Sequence, residues 1–275
     1  MAYLELKDGR KLWYAEEGEG KPVVLIHGWK ASANVYEETS RRLAEQGYRC
    51  IRYDHVGHMR SDIPSFDPDF TTLANDLHEV IVQLKLEKPI LVGWSMGGAT
   101  IQSYIRLYGC EALERIVFVD IPPKSVNDET WTITSRNKLF FREEAEANVA
   151  LMRKDFHEFM RSYYSRGVPG FAEKTATEQD FIIHERMKGH DPKVLTSLMN
   201  ALYRRDFRDV IPKITCPVGI FNAEVLPACA PEAGEYYVNS IPAPTKLVLF
   251  EGCSHSLIVE APERFVRELL AFFAM

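Results

Sequence analysis

The chain has 275 residues, 46% hydrophobic and 26% charged, the balance of a globular protein with enough apolar side chains for a sizeable core. Its net charge of −6 and the absence of any block of like charge argue against a nucleic-acid or other polyanion-binding surface. The length admits either one α/β domain or two smaller units.

In chain order, the polar opening MAYLELKDGRKLWYAEEGEG has no apolar core of a signal peptide, and its two halves predict an antiparallel hairpin around Asp8-Gly9. Short apolar runs then predict strands: VVLIHG (23–28), RCIRYD (49–54), ILVGWS (90–95) and RIVFVD (115–120). Two more follow, PVGIF (217–221) and KLVLFEG (246–252). These runs are continuous rather than alternating, as in a parallel sheet covered on both faces. Between them, helical spacing links Leu73, Leu77, Ile81 and Leu84, then Ile101, Tyr104, Ile105 and Tyr108. It returns at Phe265, Leu269, Phe272 and Phe273, with Pro262 suited to the first helical turn. Alternating strand and helix predicts an open α/β sheet flanked by helices.

Residues 124–209 break that rhythm, with a helical pattern and nine aromatic rings from Trp131 to Phe181. The segment is expected to be a helical cap inserted into a core of residues 1–123 and 210–275. Most of its rings should form the cap's own core. No apolar run nears the roughly 18 residues of a membrane span. The five cysteines, Cys50, Cys110, Cys216, Cys229 and Cys253, are odd in number and widely spaced. They offer no disulfide framework and no C-x-x-C motif, so buried thiols in a reducing cytoplasm are expected.

Three motifs carry chemistry. GWSMG (93–97) lies between a strand and a helix, the context in which G-x-S-x-G forms a nucleophile elbow, with Ser95 in a tight turn and glycines leaving room for it. HGW (27–29) follows the strand VVLI, and acyl transfer needs two backbone N–H donors aimed at the oxyanion. Met96, after the nucleophile, and Trp29 are the candidates, with His27 read as a structural turn residue. EGCSHS (251–256) ends the last predicted strand and would bring His255 to the carboxyl edge of the sheet, making it the candidate base. His55, His58 and His78, and the insertion's His157, His184 and His190, are less well placed.

Together HGW, YDHVGH, GWSMGG and EGCSHSLIVEAPERF resemble the α/β-hydrolase fold proteins of the esterase and non-haem haloperoxidase-like group. The resemblance implies a mostly parallel eight-stranded sheet with a helical cap. A serine at position 95, where related dehalogenases and epoxide hydrolases carry aspartate, disfavours those branches. Two departures stand out. The family's D-x-R-G-H-G loop reads DHVGHM here, with Val56 for arginine and Met59 for glycine, which implies local rearrangement. The G-x-x-D expected after the seventh strand reads NAEVLP, which puts Leu226 at the aspartate position.

A triad acid must accept the histidine Nδ1–H and stabilise the imidazolium, which leucine cannot do. Glu224, two positions earlier, is the alternative acid. Asp120 is the preferred one, because it ends the strand RIVFVD beside the nucleophile strand, and some branches of the fold place their acid there. FVDIPPK also resembles a stretch of bacterial hydrolases lacking the usual aspartate, and the order Ser95, Asp120, His255 is nucleophile, acid, base.

The reading is a serine hydrolase, a carboxylesterase for small or aromatic esters, with no metal or organic cofactor and no nucleic-acid or membrane partner. A pocket flanked by Trp29 and Trp94 under a ring-rich cap should favour apolar groups over charged ones. Two alternatives stand beside it: a cofactor-free oxygenase of the same fold, and a ligand-binding member with a defunct site.

Overall fold

The structure is a computed structural model that describes residues 1–134, 140–168, 170–225 and 228–275. Strand β1 (Ala2–Glu5) turns back at Asp8-Gly9 into β2 (Lys11–Glu17), and Gly9 takes the positive φ of 85° that this turn requires. Then come β3 (Lys21–Ile26), α1 (Glu37–Ala44), β4 (Tyr48–Tyr53), α2 (Phe70–Gln83) and β5 (Ile90–Trp94). Helix α3 (Met96–Tyr108) and strand β6 (Arg115–Val119) complete the first half.

Four helices follow before the next strand: α4 (Arg142–Lys154), α5 (Phe156–Gly167), α6 (Ala176–Met187) and α7 (Pro192–Arg204). The chain closes with β7 (Val218–Ala223), α8 (Pro231–Ser240), β8 (Thr245–Phe250), α9 (Leu257–Glu260) and α10 (Pro262–Phe273). As expected, Pro262 occupies the first turn of α10.

The strands form one sheet in the order β1-β2-β4-β3-β5-β6-β7-β8. β2 pairs antiparallel with β1 and β4, and every other pairing is parallel. Neighbouring residues along a strand point to opposite faces. Val24, Ile26, Leu91, Ile116 and Phe118 therefore meet Leu73, Leu77 and Ile101 of α2 and α3 on one side. Val23, Leu25, Val92, Val117 and Val119 meet Leu43, Phe265, Leu269 and Phe272 of α1 and α10 on the other. Both faces are covered, which is why the strands read as unbroken apolar runs.

Helices α1 and α8 lay outside the sequence expectation. EETSRRLA of α1 buries only Leu43 among its large apolar side chains and is laced by Glu38–Arg41 and Glu38–Arg42 pairs at i,i+3 and i,i+4. PEAGEYYVNS of α8 has only a weak apolar stripe, and its turn into the helix is set by Pro231 at the first position.

Helices α4 to α7 span most of residues 124–209, and a bridge between Lys124 and Asp206 draws the ends of that segment together. The expectation that its rings form its own core is met in part. Phe159, Tyr164 and Phe171 are buried, whereas Phe141 and Phe181 are exposed. Trp131 packs instead on Cys229 and Ala233, beside Tyr236 of α8. All five cysteines are buried and unpaired. No helix among the described residues is long and apolar enough to cross a membrane.

Candidate active site

Trp94 pairs with Val119 in the register of β5 and β6, so Ser95 and Asp120 are each the first residue beyond two adjacent parallel strands. Both leave their strand with left-handed φ, 54° at Ser95 and 47° at Asp120, a conformation non-glycine residues rarely take. Each such residue stores on the order of 1–3 kcal/mol of strain and persists only where its surroundings fix it. Here Ser95 N–H donates to Val119 O at 2.9 Å, and Asp120 N–H donates to Phe221 O at 2.8 Å. The next strand over thus pins each turn.

The glycines around Ser95 have a steric cause. A Cβ on Gly97 would overlap the carbonyl of Ile26, and one on Gly93 would lie 2.5 Å from the backbone of Gly97. Helix α3 can therefore start directly against β3 and β5 only with glycine at both sites. Gly28 is similarly close, since a Cβ there would lie 3.1 Å from Ser95 Cβ. That brings the loop carrying Trp29 alongside the serine.

Asp120 is fully buried, and its carboxylate accepts from His255 Nδ1 at 2.6 Å. The backbone N–H groups of Ala228 (2.9 Å), Cys229 (3.3 Å) and Ala223 (3.4 Å) also donate to it. Three peptide donors compensate the buried charge, so no cation is needed to hold it there. His255 stands in the turn after β8 with its side chain 30% exposed. Its main-chain oxygen accepts from Trp94 Nε1 at 2.8 Å, and the two rings lie 5.3 Å apart. With Nδ1–H donated to Asp120, Nε2 is left to accept a proton.

Glu224, the alternative acid, is engaged elsewhere. Its Oε2 accepts from Gly252 N–H at 2.9 Å, and Val225 N–H donates to Cys253 O at 2.9 Å. The segment straps the turn that bears His255 through main-chain atoms. Leu226 lies outside the described residues.

Trp29 and Met96 are both buried, Met96 at the start of α3 and Trp29 in the loop after β3. The Trp29 indole reaches across to the inserted helices. It donates from Nε1 to Leu195 O at 2.9 Å and packs edge-on against Phe159 and Tyr163.

The DHVGHM departure has a local resolution. Met59 takes the positive φ of 46° where the family would have glycine. Arg60 supplies the guanidinium, with Nε 2.6 Å from the buried Asp54 carboxylate and its head 3.2 Å from the Trp13 ring centre. Asp54 also accepts from Ala33 N–H at 2.8 Å, tying this loop to the segment after Trp29.

Sequence reasoning missed a cluster of four histidines. His27 packs 4.5 Å from His55 and 5.2 Å from His58, and His58 packs 5.2 Å from His190. His27 Nδ1–H donates to Gly28 O at 2.7 Å, and its Nε2 accepts from His55 N–H at 2.9 Å. Both its nitrogens are committed in the neutral form, which suits a turn residue and not a base. Burial pushes His27 down to about 4, and His58 and His190 to about 3. A signal existed: Ile26 pairs with Tyr53, so the residues after β3 and β4 emerge side by side.

Residues 21–262 match a family model described as alpha/beta hydrolase fold. The chain is 27% identical to a non-heme chloroperoxidase from Kitasatospora aureofaciens over 280 residues, covering 99% of each chain. It is 25% identical to a pimeloyl-[acyl-carrier protein] methyl ester esterase from Nitrosospira multiformis, covering 96% of this chain and 99% of the other. Its fold superposes on an esterase from Exiguobacterium antarcticum with a TM-score of 0.85 and 26% identity, covering 100% of this chain and 99% of that one.

Proposed function

This chain belongs to the α/β-hydrolase fold family, in its haloperoxidase- and esterase-like group, and is a hydrolase; on that premise we propose that it is a serine carboxylesterase whose acyl-enzyme forms on Ser95. The observation that carries the proposal is the 2.6 Å contact between the buried Asp120 and His255, on the same sheet edge as Ser95. Asp120 fixes the histidine tautomer and stabilises the imidazolium. His255 Nε2 takes the Ser95 proton as Oγ attacks the ester carbonyl, and the backbone amides of Trp29 and Met96 hold the oxyanion. Collapse breaks the ester bond, and the leaving alkoxide takes the proton from His255. Water, deprotonated by the same nitrogen, then attacks the acyl-enzyme, releasing a carboxylic acid and restoring Ser95.

In this reading, helices α4 to α7 form the cap over the site, with Trp29 as the joint between cap and oxyanion loop. The substrate is a small or aromatic ester, and five buried thiols suit a cytoplasmic setting.

A fluorophosphonate probe tests the proposal, because an unactivated serine is far too weak a nucleophile to react at neutral pH. Covalent labelling at Ser95, abolished in Ser95→Ala, together with turnover of p-nitrophenyl esters, is expected. Folded protein that resists the probe would overturn it. Oxygen consumption without serine labelling would favour the cofactor-free oxygenase.

A further inference from the structure

We propose that Lys30, with Arg186 beside it, forms an anion-recognising subsite next to the oxyanion loop, and that the favoured substrate is an ester with a free carboxylate at its far end. This rests on the serine esterase reading above and departs from the expectation of a purely apolar pocket.

Lys30 is the residue after Trp29 and adopts a left-handed φ of 49°. Its Nζ lies 4.8 Å from the Tyr164 ring centre and 5.7 Å from that of Tyr163, both on α5. The Arg186 guanidinium of α6 sits 5.3 Å from the same Tyr164 ring. Two cations therefore converge on one aromatic wall.

Among the described residues, no carboxylate acts on Lys30. The influences on Lys30 are desolvation first and repulsion from Arg186 second, and together they push its ammonium down to about 8. His190, lowered to about 3 by burial first and by His58 and Lys30 after it, stays neutral beside them. A half-buried ammonium held, among the described residues, by aromatic faces is weakly compensated. A carboxylate placed there would restore what burial removed, at the strength of a charge-assisted hydrogen bond.

The wall is also tied to the serine. Trp29 packs against Tyr163 at 5.6 Å, and Gly28, the residue before it, approaches Ser95 so closely that a Cβ would lie 3.1 Å from Ser95 Cβ. Two peptide units separate Gly28 from Lys30, at most about 7 Å between their Cα atoms. In the proposed binding mode an ester whose carbonyl meets Ser95 runs a short aliphatic chain along Trp29 to the ammonium. The Trp29 and tyrosine rings take the methylenes, and Lys30 takes the terminal charge.

The test compares a length series of monoalkyl esters of dicarboxylic acids with the corresponding neutral dialkyl esters. The wild type should show a higher kcat/KM for the monoester at one chain length. In Lys30→Met the ratio of monoester to diester should fall about ten-fold or more, the scale of one charge-assisted contact, and Lys30→Arg should keep most of it. Binding of glutarate and adipate to Ser95→Ala, measured by titration calorimetry, reads the subsite without chemistry. It should weaken by a similar factor when Lys30→Met is added. Ester turnover with a ratio indifferent to Lys30→Met, or dicarboxylate binding that ignores the substitution, overturns the subsite and leaves the esterase standing. Lys30-dependent dicarboxylate binding in a protein that cleaves no ester supports the subsite and removes the proposed reaction.

Discussion

Asp120 Oδ2 lies 2.6 Å from His255 Nδ1, a contact that joins residues 135 positions apart across the ends of β6 and β8. In the proposed triad the acid comes from the strand beside that of Ser95, while Glu224, after β7, accepts from the main chain of the neighbouring turn.

The substitution Asp120→Asn should therefore preserve the fold and lower kcat by about 10⁴, the cost seen when an amide fixes the wrong tautomer in a serine protease triad. Glu224→Gln keeps an oxygen for Gly252 N–H and should cost less than about ten-fold, since a neutral hydrogen bond is worth roughly 1 kcal/mol. Steady-state kinetics with circular dichroism on both variants checks the assignment. A crippled Glu224→Gln beside a near-normal Asp120→Asn would reverse it.

The glycines divide into two kinds. Gly97→Ala drives a Cβ into the Ile26 carbonyl and should cost more than about 3 kcal/mol or prevent folding. Gly9→Ala meets nothing within 4 Å and strains only its φ of 85°, a cost of about 1–2 kcal/mol. Urea melts of the two proteins should differ in midpoint accordingly; equal midpoints would refute the steric account of the elbow.

Acid should weaken the fold through the histidine cluster. His27, His55, His58 and His190 all have proton affinities lowered by burial, to about 4 at His27 and about 3 at His58 and His190. An unfolded histidine titrates near 6.5. Below that pH the unfolded chain takes up protons that the folded cluster refuses, so stability falls as pH drops toward 4. The slope is at most about 1.4 kcal/mol per pH unit per histidine. Asp54 attracts protons to the cluster, while Arg60 and Lys30 repel them. Asp76, lifted to about 6 by burial, opposes the trend, because its folded form binds the extra proton. Denaturant midpoints should decline from pH 7 to pH 5, and His190→Gln should flatten that decline. An unchanged slope would show that the cluster is not the cause.

The indole of Trp29 is predicted to act as a tether. Trp29→Phe keeps ring contacts with Phe159 and Tyr163 but removes the donor to Leu195 O, a loss of about 1 kcal/mol. Hydrogen exchange along α5 and α7 should quicken, while Ser95 labelling persists because the backbone amide at position 29 is retained. Exchange rates equal to those of the wild type would deny the tether.

The sheet and the elbow were legible in the sequence because strands buried on both faces must be continuously apolar and the elbow glycines have a steric cause. The contact of Asp120 with His255 was legible because RIVFVD ends in a carboxylate at a strand terminus. What stayed hidden depends on contacts between distant segments. His190 meets His58 only once the insertion folds back, and nothing local to Lys30 shows that Tyr163, Tyr164 and Arg186 will surround it. Helix α1 escaped because its exposed face holds charge pairs and its apolar stripe is little more than Leu43.

The peptide groups of Ala223, Ala228 and Cys229 that cradle Asp120 donate whatever side chain each residue carries. Every amino acid except proline supplies that N–H. This loop is therefore constrained in its path and largely free in its side chains. Saturation mutagenesis at 228 and 229 should accept most small replacements and reject proline, because the loop holds the carboxylate by the course of its backbone.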